Sequence, residues 1–165
     1  MTATTPPGRV VRDTQGVQLT YERTLDAPVD RVWAAVTDPD RLERWFGRWC
    51  GDPASGEVAL VMTAEGQTEP EPVTVAACEA PTLLAVSTSG PDGPWPLELR
   101  LADDDGRTRL RFTHRLAEPY DASSIGPGWQ YYLDRLEAVL AGRPVPADFD
   151  EYLPGLAAAY AVPPA

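Results

Sequence analysis

The stretch Gly128-Trp129-Gln130-Tyr131-Tyr132-Leu133-Asp134-Arg135-Leu136-Glu137-Ala138-Val139-Leu140 decides how the rest of the chain must fold. Trp129, Leu133, Leu136 and Leu140 recur at helical spacing, and Tyr132 and Val139 widen the stripe. Gln130, Asp134, Arg135 and Glu137 take the opposite face, so the spacing predicts an amphipathic helix over 128–140. Pro127 and Gly128 precede it, and Gly142 with Pro144 stops it. Nearly everything upstream reads as short strands, so one long helix has to cover a whole sheet.

Working back from that helix, Leu97, Leu99 and Leu101 alternate with Glu98 and Arg100. Leu110, Phe112, His114 and Leu116 alternate with Arg109, Arg111 and Arg115. Asp103-Asp104-Asp105-Gly106 between the two runs predicts a hairpin turn, because Asp-Gly readily supplies positive φ. The hairpin puts the apolar residues and His114 on one buried face and the charges on the other, as a solvated cross-strand ladder. Further strands are expected over 57–62, 73–78 and 83–88, each bounded by Gly, Pro or Asp. Val17, Leu19, Tyr21 and Leu25 share one face of a first strand over 17–25.

Two short helices follow that strand. Asp26-Ala27-Pro28 starts one, with Val29, Val32, Trp33 and Val36 as its buried stripe. Thr37-Asp38-Pro39-Asp40 starts the other, with Thr37 and Asp40 at capping-box spacing; it carries Leu42, Trp45 and Phe46 and is expected to end at Gly47.

About six strands at ~4.8 Å spacing make a sheet roughly 29 Å across, whereas one helix is only ~10–12 Å wide. The antiparallel sheet must therefore curl around the helix, an α+β arrangement, with the short helices plugging one end. Such a sheet leaves concave, mostly apolar space, where small ligands bind. The candidate ligand-contacting residues are Trp45, Phe46 and Trp49 at an entrance and Leu97, Leu99, Leu110, Phe112 and His114 on the sheet. Trp129, Tyr132, Leu133 and Leu136 join them from the helix. His114 is the single histidine. It reads as a structural side chain, as a polar contact that orients a ligand, or as a catalytic base with Tyr132 as a second acid–base group.

The 165 residues suit one domain. A flexible N-terminus is expected over 1–16, the domain proper over 17–142, and a tail over 143–165. In the tail, Phe149, Tyr152, Leu153, Leu156 and Tyr160, interrupted by Pro154-Gly155, suggest a broken helix across the outside of the domain. A formal charge of −11 argues against nucleic acid and anionic membrane as partners. No apolar run approaches the ~20 residues of a membrane span, and no secretory signal follows Met1. Cys50 and Cys78 make neither a disulfide framework nor a metal site, so a reduced, cytoplasmic protein is expected, with no metal and no cofactor. The run Asp103-Asp104-Asp105 is not read as a metal site either, since consecutive carboxylates on a tight turn diverge.

Leu25-Asp26-Ala27-Pro28-Val29-Asp30-Arg31-Val32-Trp33, followed by Thr37-Asp38-Pro39 and Leu42-Glu43-Arg44-Trp45-Phe46, resembles the SRPBCC superfamily. More narrowly it is similar to the branch related to the activator of the heat-shock protein 90 ATPase. Gly128-Trp129 with Leu133-Asp134-Arg135-Leu136 resembles that branch's C-terminal helix, and Thr113-His114 the end of its preceding strand. The resemblance spans roughly Val17 to Gly142. It implies the helix-grip fold, also called START-like or birch-pollen-allergen-like. It also implies one of three roles: binding of lipids, sterols, polyketides or other apolar molecules, aromatase/cyclase activity, or stimulation of a chaperone. Binding of a small hydrophobic ligand is the expected function. The alternatives are a cyclase or dehydratase acting on a polyketide-like substrate and a chaperone-modulating or other protein-interaction module. A second copy of the chain is a further partner, through an exposed sheet edge or the tail.

Overall fold

The computed structural model describes residues 8–90, 93–118, 120–149, 160 and 162. Among them, eight strands form one curved, open antiparallel sheet. In chain order these are β1 (Arg9–Asp13), β2 (Gly16–Leu25), β3 (Arg48–Cys50), β4 (Glu57–Val61), β5 (Glu71–Glu79), β6 (Leu83–Gly90), β7 (Gly93–Asp104) and β8 (Arg107–Leu116). Their spatial order is β1-β2-β8-β7-β6-β5-β4-β3. Helices α1 (Val29–Thr37) and α2 (Pro39–Leu42) carry the chain from β2 to the far edge, and α3 (Ala122–Ala141) packs on the sheet's buried face. At ~4.8 Å per strand the sheet is roughly 38 Å wide, so one helix covers even less of it than six strands would imply. A register shift between Val75 and Ala77 bends β5. This is the helix-grip architecture, with two more strands than expected.

Both additional strands are too short to carry a periodic signal. Residues 9–13 belong not to a flexible terminus but to β1, paired from Arg9↔Thr20 to Asp13↔Gly16. The three residues of β3 pair with β4 after the turn that follows the second short helix, which ends at Leu42 and not at Gly47. Gly47 has a different use: an added Cβ there would press on the Val61 carbonyl, so its small size lets β3 approach β4. Asp38, not Thr37, caps α2, accepting from the Asp40 and Arg41 amides at 2.9 and 3.3 Å. The Thr37 hydroxyl turns back and donates to the Trp33 carbonyl at 2.7 Å.

The β7–β8 hairpin follows its alternation. Leu97 lies opposite His114, Leu99 opposite Phe112 and Leu101 opposite Leu110, all buried, with positive φ at Asp105 and Gly106 making the turn. The outer face is not the expected ladder. Arg100 stands opposite Arg111, and Glu98 pairs along its own strand with Arg100 at 2.6 Å. Arg109 pairs with Asp104, and Arg115 with Asp13 on β1.

Helix α3 starts at Ala122, a turn and a half before Gly128, and Pro127 lies inside it. The backbone bond that Pro127 cannot donate falls in a turn where residues 123 and 124 are exposed and water can satisfy the freed carbonyl. Ala122 and Pro127 themselves are buried against the core. At the other end Gly142 takes a left-handed φ of 68° and closes the helix.

The second face of α3 is not solvated. Gln130 is buried, and Asp134 and Glu137 meet the Arg23 guanidinium at 2.7 and 3.4 Å. The Arg23 side chain is only 2% exposed. Nor does the described part of the tail stay outside. Tyr160 is fully buried, accepts from the Gly8 N–H at 2.9 Å and donates to Gln130 Oε1 at 2.6 Å. Beside it the Tyr21 hydroxyl donates to the Gly126 carbonyl at 2.7 Å. Phe149 packs edge-on against Tyr131, whereas Tyr152, Leu153, Leu156 and Pro154-Gly155 lie outside the described residues. Among the described residues no helix is long and apolar enough to cross a membrane.

Candidate functional site

The uncovered part of the concave face is a cavity of about 500 Å³ between α3, the inner residues of β4–β8 and the aromatic turn after α2. That volume lies in the ~300–1,000 Å³ range of small-molecule pockets. Of the residues expected to line it, Trp45, Phe46, Trp49, Leu97, Leu99, Phe112, Trp129, Tyr132, Leu133 and Leu136 border it. Leu110 and His114 do not.

The local chemistry explains how so many aromatic residues meet there. The Trp45 indole donates to the Ala35 carbonyl at 2.8 Å, and the Trp49 indole to the Thr37 carbonyl at 2.7 Å. Both polar edges are thereby satisfied at the end of α1, leaving ring carbons to face the hollow. Phe46 stacks on Trp129 with centroids 6.0 Å apart and meets Tyr132 edge-on at 4.8 Å. Arg135 ties α3 to this turn, donating to the Trp45 carbonyl at 2.9 Å while its guanidinium covers the Tyr131 ring.

His114 sits behind the wall. Its Nδ1 accepts the Trp129 indole N–H at 3.0 Å, and its ring packs against Trp95 with centroids 4.8 Å apart. It is 1% exposed, and burial lowers its pKa from 6.5 to about 4. At neutral pH it is therefore uncharged, with its proton on Nε2, because Nδ1 is the acceptor. The residue positions the Trp129 indole and does not meet the cavity as a base. Leu110 lies opposite Arg23 and Leu101, fully buried beyond the cavity floor.

The polar rim was not anticipated from the sequence. Glu65, Gln67, Glu71, Thr88 and Ser124 also border the cavity, and all but Thr88 are exposed, which marks its solvent side. The Tyr132 hydroxyl donates to Glu65 Oε1 at 2.9 Å. Burial, and next the Glu65 carboxylate, push the Tyr132 phenol above its ordinary value of 10.0, so it stays a donor. Glu71 was legible, since it shares strand parity with buried Val73 and Val75. The turn at Thr63–Glu65 carries no such pattern. Among the described residues no three His, Cys, Asp or Glu side chains are grouped to hold a metal, and in the acidic turn Asp103 accepts the Gly106 N–H at 3.3 Å.

Residues 26–141 match the family described as activator of Hsp90 ATPase homolog 1-like protein. The chain belongs to that family. The matched segment runs from the end of β2 to the end of α3 and contains every described residue that lines the cavity. The same fold occurs in the crystal structure of CalU16 from Micromonospora echinospora, 26% identical, with a TM-score of 0.74 over 93% of this chain and 92% of that one. The solution structure of the protein encoded by BPP1335 from Bordetella parapertussis is 28% identical, with a TM-score of 0.70 over 97% and 94% of the two chains. DynU16, described as a protein in the dynemicin biosynthetic locus, is 22% identical with a TM-score of 0.60, over 78% of this chain and 49% of its own. No curated protein matches the sequence significantly.

Proposed function

We propose that this Hsp90 ATPase activator-like chain is a binding protein for a small hydrophobic or aromatic ligand held between α3 and the sheet. One observation carries the reading: a hollow of about 500 Å³ whose deep wall, including Val86, Leu97, Leu99, Phe112, Leu133 and Leu136, is apolar, with polar groups gathered at the rim. Three of the indoles that border it bond away from it, to Ala35, Thr37 and His114, so they offer a guest carbon surface. A guest entering this wall is driven by apolar burial, at about 25 cal/mol per Å² removed from water.

A second reading, a cyclase or dehydratase acting on a polyketide-like substrate, is favoured by the Tyr132–Glu65 pair, an acid and a base 2.9 Å apart at the cavity wall. Binding is preferred because His114 is enclosed and, inside the rim, only the Thr88 and Tyr132 hydroxyls among the described lining side chains could engage a substrate. Partnership with a second copy through a sheet edge finds little support. β1 carries Arg9, Arg12 and Asp13, and β3 is three residues long, both of which oppose strand addition. We place the protein in the cytoplasm on its two exposed, unpaired cysteines, Cys50 and Cys78.

Titration with Nile red, a neutral apolar dye, tests the binding reading. Its emission should rise and saturate near one equivalent with the natural chain and do so several-fold more weakly with Leu99→Trp, whose larger ring takes up part of the hollow and narrows it. Equal binding by the two proteins would place the dye elsewhere and end the proposal.

A further inference from the structure

We infer that the cavity selects apolar amines, molecules with a hydrophobic body and a protonated nitrogen at the outer end, and rejects fatty-acid anions of the same body. The inference rests on the reading of the cavity as a ligand site and adds the charge of the guest. The rim is where a guest's charged end must lie, because deeper in the cavity the polar side chains are the neutral hydroxyls of Thr88 and Tyr132. Two carboxylates stand there, Glu65 and Glu71, with Gln67 and Ser124 as their neutral neighbours.

Among the described residues no basic side chain lines the cavity beside them. Every basic residue of the chain except the single histidine is one of fourteen arginines, and none of these lines the cavity. Arg135, which approaches the aromatic turn, is engaged by the Trp45 carbonyl, the Tyr131 hydroxyl and the Pro146 carbonyl. Arg23 lies under the other flank of α3, with Asp134 and Glu137. The start of α3 also comes to the rim, through Ser124 and Ile125, and a helix start ordinarily favours an anion. Here its N-cap residue is Asp121, whose exposed carboxylate opposes that partial charge.

A fatty-acid carboxylate seated in this cavity would place a third anion beside two others, with Arg135 turned to the Trp45 and Pro146 carbonyls behind the wall, whereas an ammonium would meet acceptors with unused lone pairs. Glu65 takes one bond from Tyr132, and an ionised carboxylate accepts about four. The net charge of −11 adds attraction at long range.

The test compares three guests with one hydrocarbon body at neutral pH, below their micellar concentrations: decylamine, 1-decanol and decanoate, each followed by tryptophan fluorescence. The amine should bind about tenfold or more tighter than decanoate, with the alcohol between, and the gap should narrow in high salt. In the double variant Glu65→Gln/Glu71→Gln, whose amide oxygen at position 65 can still accept from Tyr132, the amine-to-decanoate ratio should fall toward one. Glu98→Gln, on the outer face of the sheet, should keep the original ratio. If decanol binds but amine and decanoate bind equally, or decanoate binds best, the charge selection is overturned and the cavity reading stands. If none of the three binds, the cavity reading itself fails and takes the inference with it.

Discussion

Gly126→Ala sets two physical effects against each other. Gly126 is the fifth residue of α3, and alanine is favoured over glycine inside a helix by about 1 kcal/mol. Helix propensity alone therefore makes the variant more stable, and the structure argues the reverse. A Cβ at position 126 would lie 2.8 Å from Tyr160 Cδ2 and nearer still to Cγ and Cδ1, where ordinary contact begins at 3.4 Å. The ring has nowhere to go. It is fully buried against Tyr21, with centroids 6.1 Å apart, and its hydroxyl is held by the Gly8 N–H and Gln130 Oε1.

Overpacking of this kind costs about 1–3 kcal/mol, and two weakened hydrogen bonds add ~1 kcal/mol each at most. After subtracting the propensity gain, the variant should be less stable by up to about 4 kcal/mol, with about 1–3 kcal/mol the central range. For a chain of this size that lowers the melting midpoint by roughly 3–10 °C. Urea denaturation and calorimetry read both quantities. Tyr160→Ala should remove the clash, so that adding Gly126→Ala to it becomes neutral or stabilising, a coupling only contacting residues show. A rise in the midpoint for Gly126→Ala alone would refute the reasoning, because Tyr160 could not then be seated on the helix.

Two further outcomes follow from the same packing. Because the folded pKa of His114 is lowered to about 4, the unfolded chain binds more protons below 6.5, and stability falls as pH drops from there toward 4. Between pH 7.5 and 5 the natural chain should lose about 2 kcal/mol more than His114→Gln, as urea midpoints at both pH values would report. Leu110→Ala, deep in the solid core, should cost about 3–5 kcal/mol, whereas Leu99→Ala, beside an existing hollow, should cost about 2 kcal/mol or less. Equal costs for the two would count against an open cavity.

Those contrasts also show what a sequence makes legible. Strict alternation from Leu97 to Leu116, with Asp105-Gly106 between, left a single register that buries anything, and the structure has it. The curled sheet followed from widths alone. Short elements lacked a period, so β1 and β3 escaped, and Pro127 hid the first turn of α3, because a missing N–H reads as a boundary. Arg23 was visible in principle: alternation from Val17 to Leu25 places it inward, where a charge needs partners, and those partners lie on a face of α3 that looks solvated in sequence. Of the site, the apolar lining was readable because burial has a pattern. His114 was placed on the correct face, but the indole of Trp129 that covers it depends on side-chain packing across elements. Glu65 and Gln67 come from an irregular turn, where no periodicity exists to read.

Entry of a guest between α3 and the sheet is the central claim, and methyl NMR during a titration with 1-decanol tests it most directly. Saturable shifts should appear at Val86, Leu97, Leu99, Leu133 and Leu136, which line the hollow, and leave Leu110 and Leu116 almost unmoved. Shifts that fail to saturate, or that fall on the outer face of the sheet while these five stay still, would contradict it.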